Sequence, residues 1–191
     1  MQTTLSVSLK HPDKTDLQKI RALYITAFPE DERIYFTLMK WRSHFACADF
    51  FGIYDNDEWV GFFYLLHDQD LTYVYYFAIA DAFRGKGYGS AALQALKTHY
   101  PGRRILLAID PLDPTAADYE LRVRRKGFYL RNGFEQLPMI LNEARNFEIL
   151  AYGGTASIEE YRHLLTEWRG WPLKKFMKYD IVPITLEKQE K

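Results

Sequence analysis

The chain has 191 residues and a mass of 22.5 kDa, 48% hydrophobic and 26% charged, which excludes a disordered chain and fits a globular domain. Its 25 basic side chains balance 25 acidic ones, so no global positive field gathers nucleic acid. A single cysteine, Cys47, excludes an intrachain disulfide and a cysteine-based zinc site, and fits a reducing compartment. The longest strongly apolar stretch, Tyr73–Ala80, is far short of the about 20 residues that span a bilayer. Residues 1–10 lack the basic-then-apolar pattern of a signal segment, so the expectation is a soluble, cytoplasmic protein.

Thr4–Leu9 alternates, with Leu5, Val7 and Leu9 on one face, and predicts a strand. Asp13 is placed to cap a helix running to about Phe28, whose apolar face is Leu17, Ile20, Leu23, Tyr24 and Ala27. Pro29 stops it. The acidic knot Glu30-Asp31-Glu32 precedes a second predicted helix over Ile34–His44. Asp49–Tyr54 and Trp59–His67 read as a hairpin turning at Asp55-Asn56-Asp57. After the turn Asp68-Gln69-Asp70, Leu71–Ala80 reads as a strand buried on both faces.

A glycine-rich loop, Arg84–Gly89, then leads into a predicted helix over Ser90–Tyr100 and a short apolar strand, Arg104–Ile109. Strand, loop, helix and strand make a right-handed βαβ unit. A helix over Ala116–Arg131 ends at Asn132-Gly133, and Phe134–Leu141 with Asn146–Tyr152 forms a closing strand pair. The sum is an α/β fold whose sheet is mostly antiparallel with one central parallel crossover. Gly153-Gly154 ends that domain at about residue 155. In 156–191, Ser157 caps a helix with Tyr161, Leu164, Leu165 and Trp168 on one side, and Trp171, Phe176, Tyr179, Ile181, Val182 and Ile184 follow. So apolar an extension packs on something: its own domain by preference, a second subunit as the alternative.

The most informative stretch is Phe77-Ala78-Ile79 followed by Arg84-Gly85-Lys86-Gly87-Tyr88-Gly89-Ser90. Alternate glycines free the backbone for a close ligand, and their N–H groups and the next helix N-terminus favour an anion. Arg84 and Lys86 add charge, so a diphosphate is the natural guest. A P-loop is excluded because Gly-x-x-x-x-Gly-Lys-Ser/Thr is missing. A dinucleotide fold also fits poorly. The third glycine position from Gly85 is Ser90, and the unit comes once, mid-chain, although Asp110 stands where that motif places its ribose acid.

At these residues the chain resembles the GNAT family of N-acetyltransferases. Arg84-x-x-Gly87-x-Gly89 matches the family's Arg/Gln-x-x-Gly-x-Gly/Ala motif, and Phe128-Tyr129-Leu130-Arg131-Asn132-Gly133-Phe134 resembles its Tyr-x-x-x-Gly-Phe segment. The resemblance covers about 4–152 and implies a GNAT-like acyl-CoA N-acyltransferase fold. It implies an acetyl-CoA-dependent N-acetyltransferase, without a metal. Phe77, Ala78 and Ile79 would hold the pantetheine arm, and Arg84, Gly85, Lys86, Gly87, Tyr88, Gly89 and Ser90 the pyrophosphate. The acceptor would be a small amine or a protein amino group, and the chain a monomer or homodimer. The alternative is a non-catalytic acyl-CoA-binding or regulatory module of the same fold.

The same resemblance casts Tyr129 as general acid toward the leaving thiolate, its other reading being a core aromatic. The base stays open. Many members carry a carboxylate on the strand before the loop, where this chain has Tyr73, and Arg122 and Arg125 stand at the positions of a common Asn and Ala. Asp110 at a strand end and Glu32, with Glu30, between the first two helices are the candidates, each also readable as a turn or cap residue. The cluster Arg122, Arg124, Arg125 and Lys126 reads as a contact to the CoA 3′-phosphate or an acidic acceptor, or as a solvated face. His44 and His67 read as exposed or structural. The strand aromatics read as core, not as a nucleic-acid platform, because no basic residues interleave them.

Overall fold

Seven strands and five α-helices form within residues 5–142 and 146–170, which the computed structural model describes. The strands are β1 (Val7–Lys10), β2 (Ala48–Asp55), β3 (Glu58–Asp68), β4 (Leu71–Ile79), β5 (Arg104–Ile109), β6 (Glu135–Asn142) and β7 (Asn146–Tyr152). The helices are α1 (Lys14–Ala27), α2 (Phe36–Arg42), α3 (Tyr88–His99), α4 (Tyr119–Arg131) and α5 (Ile158–Arg169). The strands make one mixed sheet in the order β1-β2-β3-β4-β5-β7-β6. β4 and β5 pair parallel, and β1–β2, β2–β3, β5–β7 and β6–β7 pair antiparallel. Trp171, Phe176, Tyr179, Ile181, Val182 and Ile184, expected to pack on the domain or on a second subunit, lie outside the described residues.

Two units of contact divide the chain. The first is Met1–His67 with Val74–Arg103. Asp13 caps α1 by accepting the Asp16 N–H at 2.8 Å. Phe28 turns extended, as the residue before a proline must, and α1 stops. α2 is shorter than the predicted Ile34–His44 because Ile34 is engaged elsewhere. Its N–H donates to the Tyr76 hydroxyl at 3.2 Å, and its carbonyl accepts from the Tyr24 hydroxyl at 2.9 Å. An aromatic core fills the unit: Tyr24 and Phe28 meet Tyr76 edge-on, and Phe63 stacks on Phe77 at 4.3 Å. β4 is buried on both faces only as far as Val74. From Tyr75 onward it alternates, leaving Tyr75, Phe77 and Ile79 half-buried on one face.

His67 is structural. It is buried, with Nε2 2.9 Å from Asp49, whose carboxylate also accepts the Tyr100 hydroxyl, and with Arg103 3.0 Å from Nδ1. His44 is exposed.

The second unit is Asp68–Tyr73 with Arg104–Lys191. Arg104 opens β5 and binds three segments. It donates twice to Asp70, both at 2.7 Å, and once each to Glu160 and the Thr155 carbonyl, also at 2.7 Å. Glu160 and Ser157 form a capping box that starts α5. α5 buries Tyr161, Leu164, Leu165 and Trp168, the stripe expected of it, and Tyr161 meets Tyr73 edge-on at 5.2 Å. α4 begins at Tyr119 rather than Ala116, because Asp113 Oδ1 takes the Thr115 N–H and hydroxyl and makes a turn there.

Candidate active site

The glycine loop sits between the end of β4 and the start of α3 in the first unit. A short 3-10 turn, Asp81–Phe83, leads into it. Gly85 and Gly87 are both left-handed, at φ 73° and 92°, conformations that an L side chain rarely adopts. Gly87 is the N-cap of α3, and no side chain caps this helix. The first N–H groups of α3 are therefore offered outward at its positive end. Gly89 and Ser90 follow Tyr88 in that first turn. The space beside Gly85 is open to at least 4 Å, and a Cβ on Gly87 would stand 3.3 Å from Leu5 Cδ1. This backbone fits a phosphate-bearing ligand.

The loop's cations differ in role. Arg84 is turned back on its own segment: Nη1 pairs with Asp81 at 2.8 Å, and Nε donates to the Ile79 carbonyl at 3.1 Å. It braces the join between β4 and the loop. Lys86 is exposed, with Nζ 5.9 Å from the Phe83 ring centre. The Tyr88 hydroxyl donates to Asp55 at 2.7 Å, and that bond raises its pKa.

Ahead of the loop, Phe77 and Ile79 are half-buried and Ala78 is buried. The Ala80 N–H donates to the Val60 carbonyl at 2.9 Å, tying this end of β4 to β3. The parallel ladder with β5 takes in only Leu71–Tyr73, so β4 runs on through Val74–Ile79 beyond the last residue it pairs with β5. Glu32 closes a 3-10 turn, Glu30–Glu32, and its carbonyl accepts from the Tyr76 hydroxyl at 2.5 Å. The structure thus joins the Glu32 segment to the strand that carries Phe77–Ile79.

Tyr129 and Asp110 belong to the second unit. Tyr129 is on the last turn of α4, with Phe128 and Phe134 edge-on to its ring at 5.0 and 5.7 Å. Burial pushes its hydroxyl up to about 12, opposed by the nearby Arg125 charge. Asp110 follows β5 and accepts from Arg125 at 3.0 Å. Most of the basic cluster is engaged within the chain. Arg122 donates to Asp118 and the Pro111 carbonyl, Arg125 holds Asp110, and Lys126 lies 2.6 Å from Glu148, off the angle of a good hydrogen bond. Arg124 is exposed and bonded to its own helix at the Glu120 carbonyl, and the Arg125 side chain is 40% exposed. Glu148, 5% exposed on β7, carried no signal in a segment that reads as an ordinary closing strand. Arg33, a half-buried cation beside Glu32, carried none either.

A family model described as acetyltransferase (GNAT) family matches residues 17–134, from α1 through α4. A structure described as a GNAT-family acetyltransferase from Bacteroides thetaiotaomicron has a TM-score of 0.64 at 21% identity, over 84% of this chain and 95% of its own. An aminoglycoside 6′-N-acetyltransferase complexed with coenzyme A has a TM-score of 0.62 at 16% identity, over 76% of this chain and 94% of its own. RimL, a ribosomal L7/L12 α-N-protein acetyltransferase in complex with coenzyme A, has 0.57 at 15%, over 80% and 97%. At these identities the likeness is one of fold. No curated protein matches the chain.

Proposed function

Because the chain belongs to the acetyltransferase (GNAT) family, we propose that it moves an acetyl group from acetyl-CoA to an amine by direct attack with both substrates bound. The observation that carries this reading is the start of α3: a left-handed Gly87 cap, no side-chain cap, and Lys86 beside it, inside the matched segment. Those free N–H groups suit a diphosphate. The β4 backbone from Phe77 to Ile79 suits an extended, amide-bearing arm, which pairs with a strand as another strand would. Acetyl-CoA supplies an activated acyl thioester.

The chain's own groups then have three tasks. The N–H at Ile79 polarises the acyl carbonyl. An alkylammonium of pKa ~10 must lose a proton before it attacks, and Glu32 receives it through water. Asp110, which accepts from Arg125, is the other candidate for that base. Tyr129, with its pKa near 12, keeps its proton at neutral pH. Complete transfer to a thiolate of pKa ~8.5 is uphill, so Tyr129 steadies the sulfur as a hydrogen-bond donor while the C–S bond breaks, and the thiolate takes up the second proton of the attacking nitrogen through water.

Release of free thiol from acetyl-CoA, measured against a panel of amines, tests the reading. Amine-dependent release supports it. CoA binding without release against any amine favours the non-catalytic module.

A further inference from the structure

Arg33 follows the 3-10 turn Glu30–Glu32 in an extended conformation, φ −88° and ψ 128°. The peptide groups on either side of it are clamped. The Tyr76 hydroxyl donates to the Glu32 carbonyl at 2.5 Å and accepts the Ile34 N–H at 3.2 Å, while the Tyr24 hydroxyl donates to the Ile34 carbonyl at 2.9 Å. Both tyrosines are buried, one on α1 and the other on β4. Two hydroxyls of the core therefore fix the backbone around Arg33, and with it the direction in which its side chain leaves.

The guanidinium so aimed has no partner among the described residues. Three carboxylates immediately precede it, Glu30, Asp31 and Glu32, and none forms an ion pair with it. Its Nε–H is buried with no acceptor. The residue as a whole is half-buried. A buried donor without an acceptor is a standing cost in a folded chain. A planar fork of N–H groups is the arrangement that a carboxylate or phosphate takes with two parallel hydrogen bonds.

We propose that Arg33 binds an oxyanion of the acceptor, so that the amine acetylated here carries a carboxylate, as an amino acid does. This rests on reading the chain as an N-acetyltransferase. CoA phosphate is the other source of an oxyanion, but the loop at Gly85–Ser90 has its own donors for it. The backbone on either side of Arg33 is tied instead to Tyr76, which stands three residues before Ile79, about 10 Å along β4 at ~3.3 Å per residue. That is the acyl end of the proposed site.

The test has a binding arm and a turnover arm. The Nε–H signals of the arginines are followed by ¹H–¹⁵N spectroscopy, with Arg33→Met assigning the Arg33 signal. Millimolar acetate should shift that signal, and CoA alone should leave it in place. In the turnover arm, amino acids are compared with matched amines lacking the carboxyl group, such as phenylalanine with phenethylamine. Wild type should prefer the carboxylate-bearing member by at least tenfold in kcat/KM. Arg33→Met should erase that preference with the KM for acetyl-CoA unchanged, and Arg33→Lys should restore part of it. Arg33→Met should also melt no lower than wild type, because it removes a donor that nothing satisfies. A shift with CoA but not acetate, a preference that survives Arg33→Met, or amine turnover with no preference overturns the proposal. An acetate shift at Arg33 without turnover of any amine upholds the anion site and overturns the acetyltransferase reading instead.

Discussion

Gly61 on β3 and Ala78 on β4 approach so closely that a methyl group on Gly61 would stand 2.4 Å from the Ala78 carbonyl oxygen. The obstacle is backbone, which cannot swing aside as a side-chain end can. Gly61→Ala therefore has to push β4 away in the stretch proposed to pair with the pantetheine arm. Overpacking of this kind costs about 1–3 kcal/mol, and a domain of this size loses ~2–4 °C of Tm per kcal/mol. Thermal unfolding should show a drop of several degrees, and calorimetry a weaker CoA affinity. A variant with wild-type Tm and affinity would mean that β4 has room to spare.

Gly87 and Gly102 allow strain to be separated from binding. Both are left-handed, at φ 92° and 77°, but Gly102 has nothing within 4 Å of a Cβ and sits in the turn after α3. Substituting Ala for either should cost roughly 1 kcal/mol for the strained backbone. Only the change at Gly87 should weaken CoA binding, and Gly87→Val should do so by at least tenfold, about 1.4 kcal/mol. Equal CoA affinities in the Gly87 and Gly102 variants would remove the loop from the site.

Much of this was legible because local chemistry leaves local marks. Asp13 and Ser157 cap their helices as read, since a cap is a contact over three residues. The loop glycines were legible for the same reason. The order β5-β7-β6 was not, because alternation tells which face of a strand is buried and not which strand lies beside it. α2 starts late because hydroxyls from α1 and β4 claim the Ile34 backbone. Arg33 and Glu148 leave no local mark in the sequence, because only tertiary packing buries Glu148 and half-buries Arg33. Arg125 and Lys126, which read as a basic patch, spend their charge on Asp110 and Glu148.

Tyr129→Phe keeps the ring that Phe128 and Phe134 pack against and removes the donor. The expected result is a fall in kcat of ~10²-fold with little change in CoA affinity, because a hydrogen bond that strengthens only as the sulfur gains charge acts on the transition state. Stability should respond only in strong alkali. The unfolded tyrosine ionises near pH ~10, while the folded one holds its proton to about 12. Wild type therefore loses stability as pH rises through that interval, and Tyr129→Phe should lose less of it. Turnover equal to wild type would leave Tyr129 as a packing residue.

The docking of α5 has a pH-sensitive contact of its own. His163 Nδ1 on α5 lies 2.6 Å from Asp68 Oδ2 at the end of β3. The hydrogen bond to Asp68, then the charges of Asp68 and Glu167, hold the imidazole above its ordinary value of 6.5. A histidine raised in the folded state stabilises it fully below the unfolded pKa, and that contribution fades as pH climbs through the folded one. The pair is largely exposed on the histidine side, so the effect is modest and is screened by salt. The Tm difference between wild type and His163→Ala should be largest near pH ~5.5 and close to nil by pH ~9, measured at low ionic strength. Asp68→Asn should flatten the same profile without the loss of a side chain from α5. A difference that grows with pH, or one unmoved by Asp68→Asn, would show that His163 stabilises α5 by packing and not by charge.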